Sequence, residues 1–275
     1  MAAGAASEGS EAGAGAVEAR EANGEPDDGA VLMADSIQRA DAFAEELKRA
    51  YGDDLVSVVL YGSAARGEYR EGVSDLNVLV LLRGTGPAAL RRGSALARRW
   101  VAERNPPPMI LGEEEWQRSA DVFPIEYSDI RDAHRVLHGA DPFRGIEVHA
   151  EDLRRQCERE IRGKHIQLRE HFMLAADDPE RLGELLVKSF PTFLVLFRTV
   201  LRLSGVAVPR DPEETVRATA ERVGFTAEPL LAITRARAGR DAALRPAPDS
   251  PVVTGYLEAV EQVSRYVDRL VHGVA

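Results

Sequence analysis

The sequence predicts an α+β protein, with a small mixed β-sheet and flanking helices in its first half and an all-α helical bundle in its second. Three observations carry that prediction. Short apolar, β-branched runs at Leu55 to Tyr61, Ser74 to Leu82 and Met109 to Leu111 read as strands, with helix-like stretches around them. From Ala150 onward no strand-like run occurs, and apolar residues recur at helical spacing. The chain has 275 residues, 44% of them hydrophobic, which suffices for a sizeable core and for two domains. The expected division is an acidic tail at 1–30, a sheet domain at 31–149 and a helical domain at 150–275.

The tail holds seven acids (Glu8, Glu11, Glu18, Glu21, Glu25, Asp27 and Asp28) against Arg20, so it carries −6 of the net −10 and leaves about −4 to the rest. Rich in Ala, Gly and Glu and lacking aromatics, it is expected to be disordered. Asp35 or Ser36 then caps a helix that reaches Tyr51, with Ile37, Ala40, Ala44 and Leu47 on one face and Gly52 at its end. The Leu55 strand follows and stops at Gly62-Ser63. Ala64 to Glu71 suits a short helix, and Ser74 to Leu82 forms the next strand. Strand side chains alternate, so Asp75 and Asn77 share one face while Leu76 and Val78 enter the core. Pro87 to Arg104 reads as a helix whose Arg91, Arg92, Arg98 and Arg99 form a solvated basic face. Asn105-Pro106-Pro107-Pro108 breaks the chain before the Met109 strand. Gly112 to Ser119 is a turn and short helix, and Phe123 to Tyr127 the last strand, carrying Glu126. This order predicts a small mixed sheet with helices on one face.

In the second half, Leu153, Cys157, Ile161, Leu168 and Phe172 lie at helical spacing. Leu182 to Leu203 is a longer apolar helix. Asp211-Pro212-Glu213-Glu214 is a strong helix start, with a cap, a proline in the first turn and acids near the positive end. Helices at Glu228 to Arg240 and Pro251 to Val271 complete a four- or five-helix bundle.

The stretch Leu60-Tyr61-Gly62-Ser63, separated by eleven residues from Asp75-Leu76-Asn77-Val78, is the most specific pattern in the chain. Gly62 lacks a Cβ, so a phosphate can approach the backbone, Ser63 adds a hydroxyl, and Arg66 is placed to meet phosphate oxygens. Gly62-Ser63, Arg66-Gly67 and Ser74-Asp75-Leu76-Asn77 together resemble the signature of the polymerase-β-like nucleotidyltransferase superfamily. The nearest branches are the aminoglycoside nucleotidyltransferases and the small MNT-type domains. The resemblance is tight over about twenty residues. It implies a nucleotidyltransferase-fold domain followed by a helical bundle, with an acceptor in the cleft between them. It also implies transfer of a nucleoside monophosphate from an NTP to a hydroxyl of a small molecule or protein, with Mg²⁺ or Mn²⁺. By the same resemblance Gly62, Ser63 and Arg66 bind the nucleotide, Asp75 and Asn77 stand at the catalytic metal positions, and Glu126, the third acid, is a further metal ligand or the general base. Asp129 is an alternative to Glu126.

The family pattern has a second acid where this chain has Asn77. An amide oxygen can coordinate a metal, but it is neutral and cannot copy a bridging carboxylate. Three readings therefore stay open: an inactive site retained for nucleotide binding, a slow enzyme, or a structural remnant. The alternative function is a nucleotide- or partner-binding regulatory module, a pseudoenzyme or an antitoxin-like partner of a helical toxin.

Other features receive plainer readings. Arg159 and His165 have the Arg-x5-His spacing seen in HEPN-type ribonucleases, but His165 reads as a packing or surface residue. His134 and His138 lie four apart without the further ligands a zinc site needs. Lys188, Arg198 and Arg202 on the apolar helix are expected to snorkel to solvent. A single cysteine excludes an intrachain disulfide and fits a reducing cytosol. No apolar run is long enough to span a bilayer, and the start of the chain is not a secretory signal. An acidic body argues against broad non-specific nucleic-acid binding, so nucleotide and acceptor are the expected partners.

Overall fold

The computed structural model describes residues 28–67, 69 and 74–270. Helix α1 (Asp28–Tyr51) runs through a 3-10 turn into strand β1 (Leu55–Tyr61). The expected disorder of the tail lies outside the described residues up to position 27; from Asp28 the chain is helical. After the one-turn helix α2 (Ser63–Arg66) come β2 (Asn77–Leu82), α3 (Pro87–Ala102), β3 (Met109–Gly112) and α4 (Glu113–Arg118). Then follow α5 (Pro124–Asp132) and β4 (His134–Gly139).

The strands form one mixed sheet in the order β3-β2-β1-β4. β1 is antiparallel to both β2 and β4, and β2 is parallel to β3, with α3 as the crossover that a parallel pair requires. Helices cover both faces rather than one. Val58, Leu60, Val78 and Val80 pack with Phe43 and Leu47 of α1 and Trp100 of α3. Val59, Leu79 and Leu81 pack on the opposite side with Trp116 of α4, Tyr127 and Ile130 of α5, and Phe143. The cause lies in the strands themselves. Val58-Val59-Leu60 and Val78-Leu79-Val80-Leu81 are apolar without alternation, so each face has a surface to bury.

Phe123 to Tyr127 is not a strand. Pro124 opens α5, where a missing N–H does no harm and a fixed φ suits the first turn. Its buried residues, Ile125, Tyr127, Ser128 and Ile130, follow a helical rhythm. The fourth strand is β4 instead, with His134 opposite Tyr61 in the ladder. His134 and His138 therefore sit on a strand. The His134 ring nitrogen Nδ1 pairs with the Arg131 carbonyl at 3.0 Å.

Five helices complete the described residues: α6 (Ala150–Ala175), α7 (Pro179–Leu203), α8 (Pro212–Val223), α9 (Glu228–Arg237) and α10 (Pro251–Leu270). Phe190, Phe193, Phe197 and Val200 of α7 occupy the middle of their core, against Ile161, Val216, Leu230 and Tyr256. The Asp211 side chain caps α8 by accepting from the Glu214 N–H at 2.9 Å, as the sequence requires. Cys157 of α6 is wholly buried, and burial pushes its thiol up to about 12. His165 is buried too, and burial followed by the Arg169 charge lowers its pKa, while Arg159 is exposed. The pair is thus a packing residue and a surface residue.

The sheet and the helices meet through α5. Ile125 contributes to the helical core, and its N–H donates to Gln156 Oε1 of α6 at 2.8 Å. No helix among the described residues is long and apolar enough to cross a membrane.

Candidate functional site

A cavity of about 530 Å³ lies between the open end of the β1–β2 pair and the helices α7, α8 and α9. On the sheet side it is lined by Tyr61, Gly62, Ser63, Asp75 and Asn77, and Arg66 stands at its edge. Five of the six sequence-predicted site residues therefore converge on one space.

Gly62 adopts φ +80°, a conformation open to glycine at little cost, and it turns the chain from β1 into α2. A Cβ built there would stand 3.2 Å from Asn77 Nδ2. Tyr61 and Asn77 are partners in the ladder, so register alone sets Asn77 against this turn. Asp75 is exposed and precedes β2, which begins at Asn77 rather than at Ser74. Leu76 between them is buried, and its N–H donates to Asn105 Oδ1 at 3.4 Å. That bond anchors the segment carrying Asp75, and the alternation of exposed Asp75 with buried Leu76 and Val78 follows the strand rule.

Arg66 does not extend freely toward a ligand. Its Nη2 pairs with Asp129 Oδ1 at 2.7 Å, and its side chain is 8% exposed. Asp129 also meets Arg202 Nη2 at 3.4 Å, and Arg202 reaches Asp132 at 2.7 Å. Burial alone would push the Asp129 carboxyl up. The charge and hydrogen bond of Arg66, with Arg202 and Arg198, instead hold it below the ordinary carboxylate range. Asp129 lines the cavity as a carboxylate already engaged by two guanidiniums.

Glu126 stands elsewhere. It lies on the first turn of α5, outside the residues lining the cavity, and its Oε2 accepts from Gln156 Nε2 at 2.8 Å. Gln156 thereby holds both Ile125 and Glu126, so the acid helps dock α5 on α6. The strand placement that gave Glu126 its role as third acid fails with the strand. Neither strand after β2 supplies a substitute: β3 reads Met-Ile-Leu-Gly and β4 His-Arg-Val-Leu-His-Gly.

These positions decide the fit of a divalent metal. Asp75 offers one open carboxylate and Asn77 a neutral amide oxygen, while Asp129 is committed to arginines. Among the described residues no group of three or more His, Cys, Asp or Glu side chains is placed to hold a metal ion. Hard cations need several anionic oxygens, so the described residues do not fit a two-metal clamp.

On the helical side, Arg198, Arg237 and Arg240 line the cavity together with Phe190 and Leu194. Arg198 is 4% exposed and donates from Nη2 to the Arg210 carbonyl at 3.3 Å. Arg198 and Arg202 thus turn into the junction and do not snorkel; only Lys188 is exposed, paired with Glu184 at 2.6 Å. The signal was two arginines one turn apart in the apolar second half of α7, where a partner surface decides their direction. Arg92 and Arg99 of α3 are surface pairs with Asp54 and Glu46, as a solvated basic face would be. Tyr61, unmarked by sequence, also lines the cavity. Its phenol is pushed above the ordinary value, first by burial and then by Asp129 and Glu126, so it remains a hydrogen-bond donor at neutral pH.

Comparison with known proteins bears on the fold that carries this cavity. Residues 40–137 match the family model described as a nucleotidyltransferase domain. The fold is similar to the crystal structure of spectinomycin adenyltransferase AAD(9) from Enterococcus faecialis, solved with ATP and spectinomycin. The TM-score is 0.52 at 13% identity, over 86% of this chain and 99% of that one. No curated protein sequence matches the chain significantly.

Proposed function

We propose, from the premise that residues 40–137 form a nucleotidyltransferase domain of the polymerase-β-like superfamily, that the cavity between sheet and helices binds a nucleoside triphosphate. The observation that carries this reading is the turn at Gly62. Its positive φ brings backbone, the Ser63 hydroxyl and the open Asp75 into one space with buried arginines. Arg66, Arg198, Arg237 and Arg240 line the same space, which gives it the residue type that phosphate recognition calls for. The units at 31–149 and 150–275, meeting at this cleft, belong to the same proposal.

The reaction proposed is transfer of a nucleoside monophosphate to a hydroxyl of a small molecule or protein. The hydroxyl oxygen attacks the α-phosphorus, the bond to the bridging oxygen breaks, pyrophosphate leaves, and the hydroxyl proton is lost to solvent or a base. The domain family and the fold shared with an adenyltransferase support nucleotide and acceptor as the two ligands. A specific observation favours a second reading, a module that holds nucleotide with little turnover. Asn77 replaces an acid, Glu126 faces α6 and Asp129 is neutralised, so charge on the transition state lacks its usual counterweight.

Calorimetric titration of ATP and GTP, with and without Mg²⁺ or Mn²⁺, tests both readings. Wild type is expected to bind nucleotide without a strong metal requirement. Asn77→Asp is expected to gain about tenfold or more in Mn²⁺-dependent affinity, since a second anionic oxygen completes a pair. Metal-dependent binding by wild type that vanishes in Asp75→Ala favours the enzyme. Absence of nucleotide binding in both wild type and Asn77→Asp overturns the proposal.

A further inference from the structure

Several polar side chains that line the cleft already have partners. Arg66 and Asp129 hold each other, Glu213 accepts from Arg240 at 2.8 Å, and Asp211 caps α8. The sheet wall differs. Among the described residues the Ser63 hydroxyl, the Asp75 carboxylate and the Asn77 amide make no hydrogen bond or ion pair, although all three residues line the cavity.

Of the three, Asn77 is held most firmly against the turn. Its backbone is fixed by the ladder pair with Tyr61 and by the neighbouring Leu76 N–H, which donates to the buried Asn105 side chain. Its Nδ2 lies 3.2 Å from the point where a Cβ on Gly62 would stand. Gly62 has no Cβ, so that face of the turn is open backbone. A phosphate that settles on it therefore has the Asn77 amide as its neighbour.

An amide there behaves differently from the acid it replaces. A carboxylate only accepts hydrogen bonds, so beside a phosphate it needs a cation between the two; without one the like charges repel. Among the described residues no cluster of three or more acids, histidines or cysteines is placed to hold such a cation. The amide nitrogen carries N–H donors and no charge, and a hydrogen bond from it to an anionic oxygen is of the stronger kind.

We infer that Asn77 is a phosphate-binding residue: its Nδ2 donates to a phosphate oxygen of the nucleotide lying over Gly62, so the cleft takes nucleotide without a divalent cation. The inference rests on the nucleotide reading of the cleft. The Ser63 hydroxyl, in the same wall and equally without a partner among the described residues, supplies a second donor.

The test is calorimetric titration of ATP into the full chain in EDTA, for wild type, Asn77→Ala, Asn77→Asp and Asn77→Gln, repeated with Mg²⁺ or Mn²⁺. Wild type is expected to bind in EDTA and to change little when metal is added. Asn77→Ala loses the donor and should bind about tenfold more weakly in EDTA. Asn77→Asp loses the donor and gains a like charge, so it should fall further and recover only with metal. Asn77→Gln keeps the donors on a longer stem and should regain part of what Asn77→Ala loses. A residue that merely ends β2 would not produce that order. The side-chain amide NMR signals of Asn77, identified by their absence from Asn77→Asp, should move when ATP is added in EDTA. Equal metal-free affinity in wild type, Asn77→Ala and Asn77→Asp overturns the inference and leaves the nucleotide reading standing. So does binding by wild type only in the presence of metal, or amide signals that stay still while ATP binds. Absence of binding by all four proteins, with and without metal, overturns the nucleotide reading and the inference with it.

Discussion

The sheet wall of the cleft and its helical wall hold their polar groups by different means. On the sheet side the groups are short: a glycine, a serine, one aspartate and one asparagine. Their positions follow from strand register and from the turn at Gly62, with little help from distant residues. On the helical side the groups are long guanidiniums that cross from α7 to carboxylates of α5 seventy residues earlier. The first wall is built by backbone geometry and the second by tertiary ion pairing. The comparison teaches that one cleft can be walled in two ways, by strand register on one side and by ion pairs between distant helices on the other.

The strongest way to break the comparison is at the helical wall. Asp129→Ala leaves Arg66 and Arg202 without their shared, largely buried partner, and is expected to destabilise the fold by about 3–5 kcal/mol in urea denaturation. The same residue sets an acid limb. Its folded pKa lies below the unfolded one, so its contribution is fully present above the ordinary aspartate range and is lost as pH falls through the folded value. Asp129→Asn should therefore flatten stability against pH in that acid window, and an unchanged slope would show that the pairing contributes nothing.

The sheet wall should respond less and in another way. Gly62→Ala forces φ +80° on a residue with a Cβ and presses it toward Asn77, at a cost of about 1–3 kcal/mol. Because the strain sits at the turn, ATP affinity should fall with it; wild-type affinity in a correctly folded variant would remove the turn from the nucleotide site. The smallest effect is expected between the walls. Glu126→Gln keeps an oxygen for Gln156 Nε2 and should shift stability by no more than about 0.5 kcal/mol, leaving ATP binding unchanged. A large loss of nucleotide binding in that variant would restore Glu126 as an acid of the cleft.

Much of the sheet wall was legible in the sequence. Apolar runs located β1 and β2, and the Gly-Ser turn with Asp75 and Asn77 located the rim, because those features depend on local periodicity. The same reading misplaced Phe123 to Tyr127, where Phe123, Ile125 and Tyr127 at alternate positions look like a strand while Pro124 prepares a helix start. Glu126 went with it, since the role of a side chain cannot survive a change in its element. It also missed β4, whose polar sequence His-Arg-Val-Leu-His-Gly carries a weak strand signal and is held by pairing with β1. Arg198 and Arg202 were visible as charges on an apolar helix, but their direction depends on α5, which sequence spacing does not place. The cover on both faces of the sheet was present in the unbroken apolar run Val58-Val59-Leu60.

The buried sulfur at position 157 has a practical consequence. A thiol held so far from its reactive form, and away from solvent, presents no handle to maleimides, so the folded chain behaves toward such reagents as though it had no cysteine at all. New cysteines placed on exposed faces of α3 and α10 could then carry a donor and an acceptor dye in wild-type background. Energy transfer between them would follow the spacing of the two halves as nucleotide is added, without first engineering the native sulfur away.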